Sequence, residues 1–164
     1  MYRKVFLFLL VLIITGFSLP DSKEIAVETI NKVKLQKLVK ERKGKVLFLN
    51  LWATWCVPCR EEFPSIVKLV DEYKDVEFIG ITVDFPDEVD SKIIPFLKEN
   101  KVSFINYVNA FEGDEELINL LDKNWNGALP ATFIFDKNGK KVSFLEGKQS
   151  YDGFKKEIIK AIKK

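Results

Sequence analysis

The chain has 164 residues, of which 47% are hydrophobic, including fourteen Phe and three Trp. It is long and apolar enough to bury one core, which excludes a disordered or low-complexity protein. Its 26 basic and 24 acidic residues nearly balance without a basic stripe, which argues against nucleic acid as a partner. Histidine is absent from the sequence, which excludes Ser-His-Asp and Cys-His catalysis and every histidine-ligated metal site.

The first 20 residues have the pattern of a targeting segment. Arg3 and Lys4 precede an uncharged stretch, residues 5–19, which is shorter than the roughly 20 apolar residues of a membrane span. A small-x-small pattern ending at Ser18 suits signal cleavage. We therefore expect residues 1–20 to be a signal peptide. An uncleaved membrane anchor is a close alternative, and a buried first element is a weaker one.

The domain itself is expected over residues 25–164. Either a signal peptide or an anchor would place it outside the cytosol, in the periplasm or on the extracytoplasmic face of the membrane. Disulfides persist in those compartments.

The hydrophobic pattern after the leader predicts alternating strands and helices. The expected strands are residues 25–30, Val46–Trp52, 76–83, 104–108, Ala131–Phe135 and 142–145. The first expected helix begins after Asn31 and ends near residues 43–44. The other four cover residues 56–73, 87–99, 114–123 and Tyr151–Ile162. Pro64 lies inside the second helix and predicts a kink or a broken backbone bond there. This order implies an α/β sandwich with a mixed sheet.

Cys56 and Cys59 are the only cysteines, spaced C-x-x-C directly after an apolar strand. Two intervening residues let both sulfurs share the first helical turn, where free N–H groups and the helix dipole stabilise a thiolate. We expect Cys56 to be the nucleophile and Cys59, one turn deeper, to be the resolving cysteine. The alternative is a static disulfide or two inert thiols, but so small a loop adds little stability.

A metal site or cofactor is not expected, because a single C-x-x-C is half of a zinc ribbon. Two other functions remain as alternatives. One is a copper(I)-binding chaperone of the thioredoxin fold, although such chaperones usually add a histidine and space their cysteines by three. The other is a thiol peroxidase, which needs a threonine and a proline around a lone peroxidatic cysteine.

The order of elements resembles the thioredoxin superfamily, and within it the exported TlpA/ResA-type branch. The resemblance rests on FLNLWATWCVPCREEFP (residues 48–64), on the extra helix and strand between residues 84 and 108, and on LPATFIFDKNG (residues 129–139). It implies a three-layer sandwich with a central mixed sheet that includes the helix–strand insertion of this branch.

The resemblance also implies roles for individual residues. Pro130 would be a cis-proline facing the disulfide, and Leu129 and Trp55 would join it in binding substrate. Glu62 would influence cysteine ionisation and proton transfer, unless it is an ordinary solvated glutamate. Pro58 replaces the histidine of strong oxidants, which favours a reductant.

The predicted function is an exported thiol–disulfide oxidoreductase that reduces disulfides in protein substrates, for example apocytochrome c. A thiol electron donor in the membrane would regenerate it. The chain itself could contact the membrane through its N-terminal segment.

Overall fold

The computed structural model describes residues 25–42 and 44–164. The leader predicted over residues 1–20 lies outside the described residues. The strands are β1 Val27–Ile30, β2 Val46–Trp52, β3 Val76–Thr82, β4 Ile105–Asn109, β5 Ala131–Phe135 and β6 Lys141–Glu146. The helices are α1 Lys32–Lys40, α2 Val57–Glu72, α3 Ile94–Glu99, α4 Asp114–Leu121 and α5 Tyr151–Ile162.

The six strands form one mixed sheet in the order β1-β4-β3-β2-β5-β6. The first four in that order are parallel, whereas β5 and β6 are antiparallel to their neighbours. The predicted α/β fold with a mixed sheet is confirmed. Because β2 to β4 run in the same direction, the loops that follow them meet at one edge of the sheet. Cys56, directly after β2, lies at that edge.

The apolar run of β2 is explained by burial on both faces. Leu47, Leu49 and Leu51 belong to the cluster that includes residues of α1 and α4. Phe48 and Trp52 point to the opposite face, into the clusters that contain α2, α3 and α5. The strand is therefore the middle of three layers, and it holds the start of α2 rigidly against the core.

The insertion between β3 and α4 contributes α3 and β4, and β4 lies between β1 and β3. Gly80 in β3 faces Asn106 in β4. A Cβ atom at Gly80 would lie 2.0 Å from Asn106 Oδ1, so only glycine leaves room for this amide. Trp52 Nε1 donates to the same oxygen at 3.1 Å. The inserted strand is thereby tied to the end of β2.

The helix predicted over residues 87–99 is present without a gap, but it is not α-helical throughout. It is a 3-10 turn at Pro86–Glu88, a π turn at Val89–Ile93 and then α3. The physical reason is Pro95, which has no N–H to donate to the preceding turn, so that turn widens. Two other helices end earlier than predicted, α1 at Lys40 and α4 at Leu121.

Helix α2 continues through Pro64 as one element. The expected cap of α1 is present, because the Asn31 side chain accepts from Lys34 N at 3.0 Å. The bounds of β2, β5 and α5 agree with those predicted.

Candidate active site

The two cysteines occupy the start of α2 and form a disulfide. Cys56 is the N-cap residue, and its Sγ accepts from Cys59 N at 3.3 Å. The two Cα atoms are 5.3 Å apart. Since that N–H points at Sγ, it would also stabilise a thiolate there once the disulfide is reduced.

The two sulfurs differ in their access to solvent. Cys56 is 5% exposed and Cys59 is fully buried. Their neighbours Trp55 and Val57 are 66% and 59% exposed, so an apolar surface surrounds the nearer cysteine. An approaching polypeptide therefore reaches Cys56 first.

Glu62, one helical turn after Cys59, is a buried carboxyl, with 1% of its surface exposed. Burial raises its pKa to about 7, although hydrogen bonds from Gln149 and Asn50 oppose that shift. Asn50 Nδ2 donates to Oε1 at 2.8 Å, and Gln149 N donates to Oε2 at 3.1 Å. A carboxyl with a pKa of about 7 can accept and release a proton at neutral pH.

Asn50 connects this carboxyl to β5. Its Nδ2 also donates to Thr132 Oγ1 at 3.0 Å. Its Oδ1 is buried and has no hydrogen-bond partner among the described residues, so the amide is only half satisfied. The site therefore contains a buried polar group that costs stability.

The Leu129–Pro130 peptide bond is cis, as the resemblance implies. Pro130 is buried, and its carbonyl accepts from Gly147 N at 2.8 Å. Leu129 and Trp55 both line a cavity of about 420 Å³ that also includes Leu117 of α4. This groove reaches Cys56 through its neighbour Trp55, and Cys56 and Pro130 are not among the residues that line it.

Asp84 is a site residue that sequence reasoning missed. It is buried and accepts from Thr54 N at 2.8 Å, from Thr54 Oγ1 at 2.7 Å and from Thr82 Oγ1. The carboxylate therefore ties the end of β3 to the loop that carries Trp55 and Cys56. The only signal in the sequence is an acid two residues beyond an apolar strand, which is weak.

Chemically, the arrangement suits reversible thiol–disulfide exchange. One cysteine keeps a small exposed surface, the other is fully buried next to it, and a titratable carboxyl lies one turn further on. Within residues 25–42 and 44–164, no three His, Cys, Asp or Glu side chains are close enough to share a metal ion. The same part of the chain has no helix with the length and hydrophobicity to cross a bilayer.

The profile of the AhpC/TSA family matches residues 14–142. Among curated relatives, the thiol-disulfide oxidoreductase ResA of Bacillus thuringiensis (strain Al Hakam) is 34% identical over 125 residues. That alignment covers 73% of this chain and 67% of the relative. The protein of the same name from Bacillus subtilis (strain 168) is 30% identical over 129 residues, covering 77% of this chain and 66% of the relative. The chain thus spans about two thirds of the length of these relatives.

Solved structures with the same fold include a thioredoxin-related protein from Neisseria meningitidis serogroup B. Its TM-score is 0.62 and its identity 27%, covering 74% of this chain and 87% of that one. A thiol:disulfide interchange protein from Chlorobium tepidum TLS has a TM-score of 0.61 at 25% identity, covering 73% of this chain and 81% of that one.

Proposed function

The chain belongs to the AhpC/TSA family of the thioredoxin superfamily and is a thiol–disulfide oxidoreductase, and on that premise we propose that it reduces disulfides of protein substrates outside the cytosol. The observation that carries the proposal is the position of the Cys56–Cys59 disulfide at the start of α2, with Cys56 the more exposed sulfur.

The reaction begins with both cysteines reduced. The Cys56 thiolate attacks one sulfur of a substrate disulfide, forms a mixed disulfide and releases the other substrate sulfur as a thiolate. Cys59 then loses its proton and attacks Cys56 Sγ, which releases the second substrate sulfur. The substrate gains two electrons, and the protein is left with the Cys56–Cys59 disulfide.

Glu62 is the proposed acceptor of the Cys59 proton. The support is its burial on the same helix, three residues after Cys59, and a pKa of about 7 caused by that burial. Glu61, its neighbour, is exposed and pairs with Lys148 at 2.7 Å, so it does not share this environment.

The groove beside Cys56 is the proposed substrate site. A substrate chain would lie along Leu129 and Pro130, with an apolar side chain against Trp55. Apocytochrome c is a candidate substrate, in keeping with the ResA-type resemblance, and a thiol donor in the membrane would regenerate the dithiol. Residues 1–20 would act as the signal peptide or anchor that places the domain, residues 25–164, on the extracytoplasmic side.

The test is to trap the mixed disulfide. We expect a Cys59→Ser variant to form a stable adduct with a disulfide-containing protein through Cys56, detected as a reducible band and by mass spectrometry. Cys56→Ser is the matched control and forms no such adduct. If the Cys59→Ser variant stays unreactive under the same conditions, the mechanism is wrong.

The direction of exchange needs a separate measurement. We expect equilibration with glutathione to give a reduction potential closer to the roughly −270 mV of thioredoxin than to the roughly −120 mV of a strong oxidant. A value near the latter would contradict the assignment as a reductant and leave the exchange chemistry intact.

A further inference from the structure

The charged residues of the domain are separated towards two ends, although their totals balance. The loops after β3 and β4, residues 84–92 and 112–116, contain eight acids and one lysine. Both loops follow parallel strands and lie at the edge of the sheet that carries Cys56. These two segments make part of the active-site end acidic, although Lys32 and Lys148 also lie at this end, where they pair with Glu116 and Glu61.

The opposite end is formed by three separate segments of the chain. One is the end of α1 with the start of β2, where Arg42 pairs with Glu77 at 2.6 Å. The β5–β6 turn lies against it, because a Cβ atom at Gly139 would be 2.5 Å from Val39 O. The last turns of α5 lie at this end too, since Lys155 already reaches Glu72, the final residue of α2, at 2.6 Å.

These three segments bring cations together. We call this set the basic pole: Lys37, Lys40, Arg42, Lys45, Lys137, Lys140, Lys160, Lys163 and Lys164. Among the described residues, only Arg42 and Lys160 of the set form ion pairs. The acids within the same segments are Glu41, Asp136 and Glu157.

Two of these acids lie inside the pole and offset part of its charge. Asp136 is buried in the β5–β6 turn, where it accepts from Asn138 N and Lys140 N at 2.9 Å each. Glu157 pairs with Lys160 at 3.0 Å and also accepts from Ser143. Asp71, Glu72, Asp75 and Glu77, at the end of α2 and the start of β3, are the other acids nearby.

The pole also has a concave surface. A cavity of about 580 Å³ lies between the end of α1 and the starts of β2 and β3. Its cationic walls are Lys34, Lys37, Arg42 and Lys45, and Glu41 and Glu77 are the acids that line it. Arg and Lys side chains bind phosphate groups, so this concave surface suits a ligand that carries phosphate.

We propose that the basic pole binds the surface of a bilayer that contains anionic phospholipid, so that Cys56 faces away from the membrane. The occupant is inferred from charge complementarity and from the apolar residues 5–19, which would bring the domain beside a membrane. Each lysine near an anionic surface strengthens binding by about fivefold. The proposal rests on the extracytoplasmic placement proposed above but not on the exchange chemistry.

The experiment uses the full chain reconstituted into phosphatidylcholine vesicles, with or without 30 mol% phosphatidylglycerol. Lysine acylation rates are measured by mass spectrometry at low salt. We expect Lys37, Lys45 and Lys163 to react at least threefold more slowly when phosphatidylglycerol is present, and Lys92 and Lys148 to be unchanged. The protection is lost in 0.5 M NaCl. Equal rates on the two vesicle types would overturn the proposal.

A charge-reversal variant tests whether the pole acts as one surface. Lys140→Glu, Lys163→Glu and Lys164→Glu together are expected to abolish the protection of Lys37 and Lys45. A matched control at the acidic end changes Lys32, Lys92 and Lys148 to Glu and retains the protection. Persistence of the protection in the pole variant would contradict the proposal. Circular dichroism checks that both variants are folded.

Two further measurements separate the possible explanations. Poly-L-glutamate replaces the vesicles in one arm, and protection there without protection on phosphatidylglycerol would overturn a lipid partner and indicate a soluble acidic one. Disulfide reduction by the pole variant in solution should equal that of the wild type. A failure of the Cys59→Ser trap would leave the acylation pattern unaffected, so the two proposals fail independently.

Discussion

The active-site end and the basic pole are stabilised by different kinds of contact. Beside the disulfide, buried polar groups bond to one another: Glu62 with Asn50, Trp52 with Asn106, and Asp84 with Thr54. Towards the pole, α5 packs aliphatic and aromatic side chains onto β2, and most charges are at the surface.

The difference indicates which end is constrained by chemistry. A buried carboxyl or a half-satisfied amide lowers the stability of the fold, and an apolar residue of similar size would avoid that cost. Glu62, Asp84 and the unsatisfied Asn50 Oδ1 lie on the active-site side, whereas the basic pole holds the buried Asp136 and the unsatisfied Arg42 Nε. Variants at the two ends should therefore differ in whether they change stability, exchange or both.

The largest expected effect is a pH dependence of stability caused by Glu62. Its pKa rises from 4.5 to about 7 on folding, because burial disfavours the charged form. The folded state thus binds its proton more tightly, and this stabilisation is complete below pH 4.5 and lost as pH rises to about 7. We expect the free energy of unfolding of the oxidised protein to fall by about 3 kcal/mol over that window.

Urea denaturation at pH 4.5, 6 and 7.5 measures this change. The carboxyls of Glu157 and Asp122 act with the opposite sign and only towards the low end of the window, because hydrogen bonds from Ser143 and Lys141 lower their pKa values. A Glu62→Gln variant should lose the dependence, and Glu61→Gln should retain it. The same variants report on exchange: Glu62→Gln should slow it about tenfold at pH 7 and Glu61→Gln should not. A wild-type stability that is flat from pH 4.5 to 7 would contradict the assignment.

A smaller effect is expected from Asp84→Asn. The substitution replaces one carboxylate oxygen by an NH₂ group, which cannot accept a hydrogen bond from Thr54 or Thr82. We expect this loss to destabilise the protein by about 2 kcal/mol. The loop before Cys56 would lose its tie to β3, so the exchange rate should fall a few-fold too. Urea denaturation and insulin reduction measure the two effects. Asp87→Asn, at an exposed position, is the control and should change neither.

The smallest effect is expected at the basic pole, from Arg42→Met. The side chain is buried and donates to Leu38 O at 2.7 Å as well as to Glu77. Met keeps the packing but not the donors, so we expect a loss of about 1 kcal/mol in stability with an unchanged exchange rate. Lys45→Met, at an exposed position, should change stability by less than about 0.5 kcal/mol. A slower exchange in Arg42→Met would break the distinction between the two ends.

The fold could be predicted from the sequence wherever apolar residues alternate with strong turn signals. The bounds of β2, β5 and α5 followed from the hydrophobic pattern. The cysteine pair and its helix start were equally clear. Local pattern failed where Pro95 widened a helical turn, because periodicity does not register a missing donor.

Other features depend on contacts that the sequence does not display. The hydrogen bonds to Glu62 come from Asn50 and Gln149, which are 12 and 87 residues away. The role of Asp84 depends on Thr54, 30 residues earlier. The total charge is balanced, so it does not indicate that acids and cations are separated towards two ends. That separation follows from the strand order, which determines which loops lie at the same edge of the sheet.

The hydrogen bond from Gln149 N to Glu62 Oε2 has a practical consequence. An amide proton that donates to a titrating oxygen changes its chemical shift when that oxygen gains or loses charge. The backbone signal of Gln149 is therefore a built-in spectroscopic reporter, which lets the proton on Glu62 be followed by NMR while both sulfurs remain unlabelled.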